Sequence, residues 1–145
     1  MKKNKLFFLR YAVILAAILY SHTLFAQQDS SKGYYIQSEK QIETLEPGSH
    51  KGGGTTTAYK FFKSIPGSKL QLTKRILHPG SAIGYHLQKE EEIYYILSGT
   101  GEMTMNGKTF PVKEGDAILT LPGNSHGLKQ TGETDLVVII NYEKK

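Results

Sequence analysis

The sequence predicts an all-β domain of the sandwich or small-barrel kind, and three observations carry that prediction. From residue 55 onward, short runs rich in Thr, Val, Ile, Tyr and Phe recur, with turn signals about every 8–12 residues. Between two of these runs lies Asn106-Gly107, the strongest short hairpin signal. After the N-terminal segment no stretch carries the apolar period of an amphipathic helix.

Residues 1–26 read as an export signal. Lys2, Lys3, Lys5 and Arg10 form a basic start, residues 11–19 (YAVILAAIL) are apolar, and Ala26 offers a small residue before Gln27. The apolar run is about half of the ~20 residues a membrane span needs. That favours cleavage over an uncleaved anchor, and the expected location is periplasmic or secreted, of bacterial type, with no membrane contact after cleavage.

Residues 27–54 are expected as an N-terminal arm and Gly-rich loop. Within it 27–31 are polar, and 33–37 (GYYIQ) suit a short edge strand or an arm on a partner subunit. Residues 39–45 are ambiguous, and 47–54 (PGSHKGGG) form a flexible loop. The barrel domain then occupies 55–145. Its expected strands are 55–62, 70–77, 83–88, 92–98, 101–105, 108–112, 117–121, 126–130 and 136–142. Turns at 65–68 (IPGS), 78–80 (HPG), 114–116 (EGD) and 122–124 (PGN) separate them. The run LVVII that opens the last strand is apolar on both faces, which suits the sheet interior or a subunit contact.

The length of 145 residues suffices for one core and is too short for two. The formal charge of +5 belongs mostly to the signal. Residues 1–26 hold four Lys/Arg and no Asp/Glu, so fourteen basic and thirteen acidic residues remain. A near-neutral chain gives no reason to expect nucleic acid as a partner. The absence of cysteine excludes disulfides, iron–sulfur clusters, cysteine-ligated zinc and a thiol-linked lipid.

The chemistry concentrates in residues 80–99, GSAIGYHLQKEEEIYYILSG. Alternate side chains of a strand share a face, so His86 and Gln88 point together. Glu92, opening the next strand, can turn toward them. An imidazole, an amide and a carboxylate converging in a small β domain point to a metal site. Glu90 and Glu91 suit solvated turn charges, and His78 suits a local cap before Pro79-Gly80. His50 lies in a loop able to fold over a barrel mouth, and His22 leaves with the signal.

The spacing Gly80, five residues, His86, one residue, Gln88, three residues, Glu92, six residues, Gly99 resembles the first cupin motif, with Gln88 where that family usually has a second histidine. Gly115-Asp116 through Pro122-Gly123 to His126 resembles the second, with Leu121 in place of a frequent proline and Gln130 in place of a frequent asparagine. The resemblance spans 80–130 and implies a double-stranded β-helix, a small jelly-roll barrel. It also implies a metal set of His86, Gln88, Glu92 and His126 on the inner wall. Two imidazoles and a carboxylate are the donors of sites that hold Fe(II) with open positions. An amide in place of a third imidazole favours Mn or Fe over Ni, Co or Zn. Alternatively, Gln88 only bonds a metal-bound water.

Tyr94 shares the face of Glu92, and the resemblance to some cupin lyases implies a base there; core filling is the other reading. Met103, Met105, Ile96 and Leu128 are expected to give the pocket an apolar lining. The expected function is a metal-dependent enzyme of dioxygenase, isomerase or lyase type acting on a small organic molecule. The alternative is a non-catalytic module that binds a sugar or similar ligand. A homodimer is expected in either case.

Overall fold

A computed structural model describes residues 32–144. The chain divides into two units, Met1–Ile36 and Gln37–Lys145. The expected signal segment lies outside the described residues, and residues 33–37 contain no strand.

The second unit carries one short helix, α1 (Glu39–Ile42), and ten strands. They are β1 (Glu43–Pro47), β2 (Thr55–Phe61), β3 (Leu70–Leu77), β4 (Ala82–Leu87), β5 (Glu92–Ser98), β6 (Thr100–Met105), β7 (Lys108–Lys113), β8 (Ala117–Thr120), β9 (Ser125–Gln130) and β10 (Leu136–Glu143). The nine expected strands all form. The tenth, β1, occupies residues assigned above to the arm. Its sequence ETLEP is short, charged and closed by proline, as suits an edge strand. Side chains hold it to the sheet: Tyr59 donates to Glu43 at 3.0 Å, and Lys60 donates to Glu46 at 2.7 Å.

One sheet runs β1-β2-β3-β10-β5-β8 and the other β4-β9-β6-β7. Every ladder is antiparallel. The sheets close over one core, to which Leu77, Ile96, Leu136 and Val138 come from the first, and Ile83, Met103, Val112 and Leu128 from the second. The apolar run of β10 lies in the sheet interior, between β3 and β5. Burying such a side chain stabilises the fold by about 1.5–3 kcal/mol.

Two devices fix β9, the strand that carries His126. At its start, Asn106 and Gly107 have φ of 50° and 77°, which closes the β6–β7 hairpin. The Asn106 carboxamide then accepts from Ser125 N at 3.0 Å and donates to Asn124 Oδ1 at 2.7 Å. At its end, buried Gln130 accepts from Gly80 N and donates to the carbonyls of Gly132 and Thr134.

Candidate metal centre

The β4–β9 ladder sets His86 directly opposite His126, after a register shift between Ile83 and His86. Cross-strand partners share a face, so the two imidazoles project together, with ring centroids 4.7 Å apart and planes at 78°. Glu92 comes from β5 in the other sheet. Donor atoms of His86, Glu92 and His126 all lie within 4.8 Å of one another. The cluster therefore exists only when the two sheets are packed.

His126 and Glu92 are buried, at 0% and 6% exposure. His126 Nε2 and Glu92 Oε2 stand 3.1 Å apart, yet neither has a hydrogen-bond partner. The approach lacks hydrogen-bond alignment, so the close pair leaves two polar atoms unmet. Unmet buried polar atoms are costly in a finished core and expected in a metal-binding site.

The neighbours fix which nitrogens face the centre. His86 Nδ1 lies 2.8 Å from the Gly84 carbonyl, which only accepts, so Nδ1 carries the proton and Nε2 keeps its lone pair. His126 Nδ1 lies 2.6 Å from Thr120 Oγ1. With that nitrogen donating to the hydroxyl, Nε2 is free as a ligand. Thr120 is also the ladder partner of Glu92, so a buried threonine braces two members of the cluster. The motif reading missed Thr120; its signal was a polar residue closing an otherwise apolar strand.

Gln88 is buried and lines the same cavity as His86 and Glu92. Its backbone is tied to the 122–124 turn by Gln88 N to Asn124 O at 2.8 Å and Gly123 N to Gln88 O at 2.9 Å. Its amide makes no hydrogen bond among the described residues, so it is available to the centre. Tyr94 is 2% exposed, with its ring 4.9 Å from that of His126. Burial, and then the Glu92 charge, hold its phenol well above its ordinary range. Without an ion, the surroundings therefore favour a proton donor over a base at Tyr94.

His50 does reach the site. Its ring stacks on His86 at 3.4 Å between centroids and 2° between planes. The 3-10 turn Ser49–Lys51 that carries it lies on the backbone of β4. A Cβ at Gly52 would strike the Ala82 carbonyl, and one at Gly84 the His50 carbonyl, so only glycine permits the contact. Burial first, then His86, lower the His50 pKa below its usual 6.5. His78 is not the local cap expected: its ring ties Thr57 Oγ1 and Asp135 Oδ1, 21 and 57 residues away, both at 2.9 Å. Glu91 is exposed, whereas Glu90 is half-buried and lines the cavity.

The lining differs from the expectation. Met103, Ile96 and Leu128 belong to the core, with Met105 packed against it, and none of the four lines the cavity. The cavity is about 500 Å³ and mixed in character: Leu87, Ile140 and the rings of Tyr94 and Tyr142 line it together with Gln71, Thr73 and Arg75 from β3 and Lys60, Lys63, Lys89 and Lys144. Glu90 and Glu92 are its only carboxylates among the described residues. Such a lining favours a small anion over an apolar molecule.

Residues 74–142 match the family model described as the cupin domain. The chain is 43% identical over 86 residues to an oxalate-binding protein of Thermotoga maritima, covering 58% of this chain and 71% of that one. It is 30% identical over 70 residues to a 5-nitrosalicylic acid 1,2-dioxygenase of Bradyrhizobium sp, of whose length it spans 33%. Among solved structures, one described as a predicted oxalate decarboxylase from Thermotoga maritima is similar, with a TM-score of 0.69 and 31% identity. That match covers 77% of this chain and all of the other. With two sheets folded as a jelly roll, His86, Glu92 and His126 of the two motifs brought together and relatives of this closeness, the chain belongs to the cupin family.

Proposed function

We propose that the protein binds a small carboxylate, for which oxalate is the model ligand, on a divalent ion held by His86, Glu92 and His126. The observation that carries this reading is the unmet pair Glu92 Oε2 and His126 Nε2, with His126 buried behind Glu92 and His86, which line a cavity carrying several cationic groups. The name of the Thermotoga oxalate-binding relative supports the same ligand class. A bound ion supplies Lewis acidity and open positions for carboxylate oxygens. Nitrogen and carboxylate donors with the Gln88 amide beside them suit Mn or Fe, with Ni, Co and Zn as weaker fits.

Calorimetric titration with oxalate tests this. Manganese-loaded protein is expected to bind oxalate, and chelator-stripped protein to bind it at least tenfold more weakly. Equal binding by both would instead favour a metal-independent binding module. Turnover is the second reading, and the observation behind it is Tyr94 beside His126, a proton-bearing group facing the cavity. Under it, Tyr94→Phe keeps oxalate binding and loses turnover.

We also propose a homodimer through the outer face of the six-stranded sheet. Ile93, Tyr95 and Leu97 on β5 and Leu119 on β8 are 41–55% exposed there. The ladders set Ile93 beside Leu119 and Tyr95 beside Ile139, so these residues form a continuous patch. A self-complementary apolar face of this kind suits a two-fold interface. Light scattering is expected to give a dimer and to give a monomer after Tyr95→Lys with Leu119→Lys. A monomeric wild type at tens of micromolar would contradict it.

A further inference from the structure

Three buried side-chain atoms have no hydrogen-bond partner among the described residues: Glu92 Oε2, His126 Nε2 and Arg75 Nε. An ion accounts for the first two. The third belongs to a guanidinium, which stays charged at any relevant pH. Arg75 is 5% exposed. Its Nη1 donates to Thr56 Oγ1 at 2.8 Å, and its Nη2 donates to Glu46 Oε1 at 2.7 Å. These bonds fix the head group and leave the buried Nε–H unmet, in a residue that lines the same cavity as His86 and Glu92.

The neighbours do not cancel the charge. Glu46 is shared between Arg75 and Lys60, so two cations meet one carboxylate. Burial raises the Glu46 pKa, but the bonds from Lys60 and Arg75 outweigh it and hold the carboxyl below its usual value. Glu46 therefore stays ionised and occupied. Lys63 and Lys144, which also line the cavity, make no ion pair among the described residues.

The sheet register locates this cationic wall. Gln71 is level with Tyr142 and Glu92, Thr73 with Ile140 and Tyr94, and Arg75 with Val138 and Ile96. Strand β3 stands two ladder spacings from β5, about 10 Å, and Arg75 lies four residues, about 13 Å, along the sheet from the level of Glu92. The cavity of about 500 Å³ has room for roughly 16 waters at ~30 Å³ each, far more than a two-carbon dianion fills.

We propose that Arg75 Nε–H anchors a second carboxylate of the ligand, so that the site selects a dicarboxylate longer than oxalate, with one end at the ion and the other at Arg75. This rests on the reading of the triad as a carboxylate-binding metal site. Arg75 is then a specificity residue, held in place by Thr56 and Glu46.

The test is calorimetric titration of manganese-loaded protein with oxalate, malonate, succinate and 2-oxoglutarate. At least one longer acid is expected to bind tenfold or more tightly than oxalate. Arg75→Gln should remove about ten- to a hundredfold of that affinity and weaken oxalate by a smaller factor, so that the preference for the longer acid is lost. Should Arg75→Gln fail to fold, Arg75→Lys keeps the charge without the Nε–H and should lose the same preference. The proposal is overturned if no longer acid outbinds oxalate, or if Arg75 variants weaken all four acids equally or not at all. Failure of the wild type to take up any of Mn, Fe, Co, Ni and Zn would instead overturn the metal site itself.

Discussion

His126→Ala is expected to weaken divalent-metal binding by at least a hundredfold. His126 has no exposed surface, lies opposite His86 in the ladder, and brings Nε2 to 3.1 Å from Glu92 Oε2. Removing it leaves one imidazole and one carboxylate, too few donors for a tight site. Thr120→Val should cost less, about ten- to a hundredfold, because it removes only the hydroxyl that orients the ring. Thermal melts with and without manganese check both. Wild type should be stabilised by about 2.7 kcal/mol with free ion at 100 times its Kd. The His126 variant should show no such shift at the same ion concentration. An unchanged shift in His126→Ala would remove it from the ligand set.

Gly84→Ala is expected to lower the unfolding free energy by about 3 kcal/mol, read from the urea midpoint. A methyl group there meets the His50 carbonyl and the Gly52 amide, both backbone and so unable to swing aside. The loop must lift from β4, which carries His50 away from His86. The Gly84 carbonyl that accepts from His86 Nδ1 is disturbed as well. Gly53→Ala is the control, since a Cβ there meets nothing and only its φ of 79° resists substitution. It should cost about 1–2 kcal/mol. Equal losses from the two would show that the loop does not depend on close packing at Gly84.

The sequence carried the fold class because its signals were local. Asn106-Gly107 needs no context to make a hairpin, and the nine expected strands all form. His86, Glu92 and His126 were legible for another reason. Their spacing within two motifs reflects how adjacent strands bring them together, and the structure does bring them together.

The polar wall was not legible. In β3, LQLTKRIL, the apolar residues Leu70, Leu72 and Ile76 occupy the positions that strand alternation would send inward. The structure turns Gln71, Thr73 and Arg75 inward instead, because that face of the strand lines the cavity and reaches the core only at Leu77. Alternation reports polarity and cannot tell solvent from a polar interior. Strand β1 was missed for a related reason: Glu46 is held by Lys60 and Arg75, partners 14 and 29 residues away. His50 likewise owes its position to the fit of Gly52 and Gly84, a tertiary fact that a Gly-rich loop does not advertise.

Elemental analysis of the purified chain, after reconstitution with Mn, Fe, Co, Ni and Zn in turn and removal of free ion, tests the metal centre most directly. The structure predicts about one divalent ion per chain for at least one of these metals, and loss of that ion in His126→Ala. No bound ion from any of the five would contradict it.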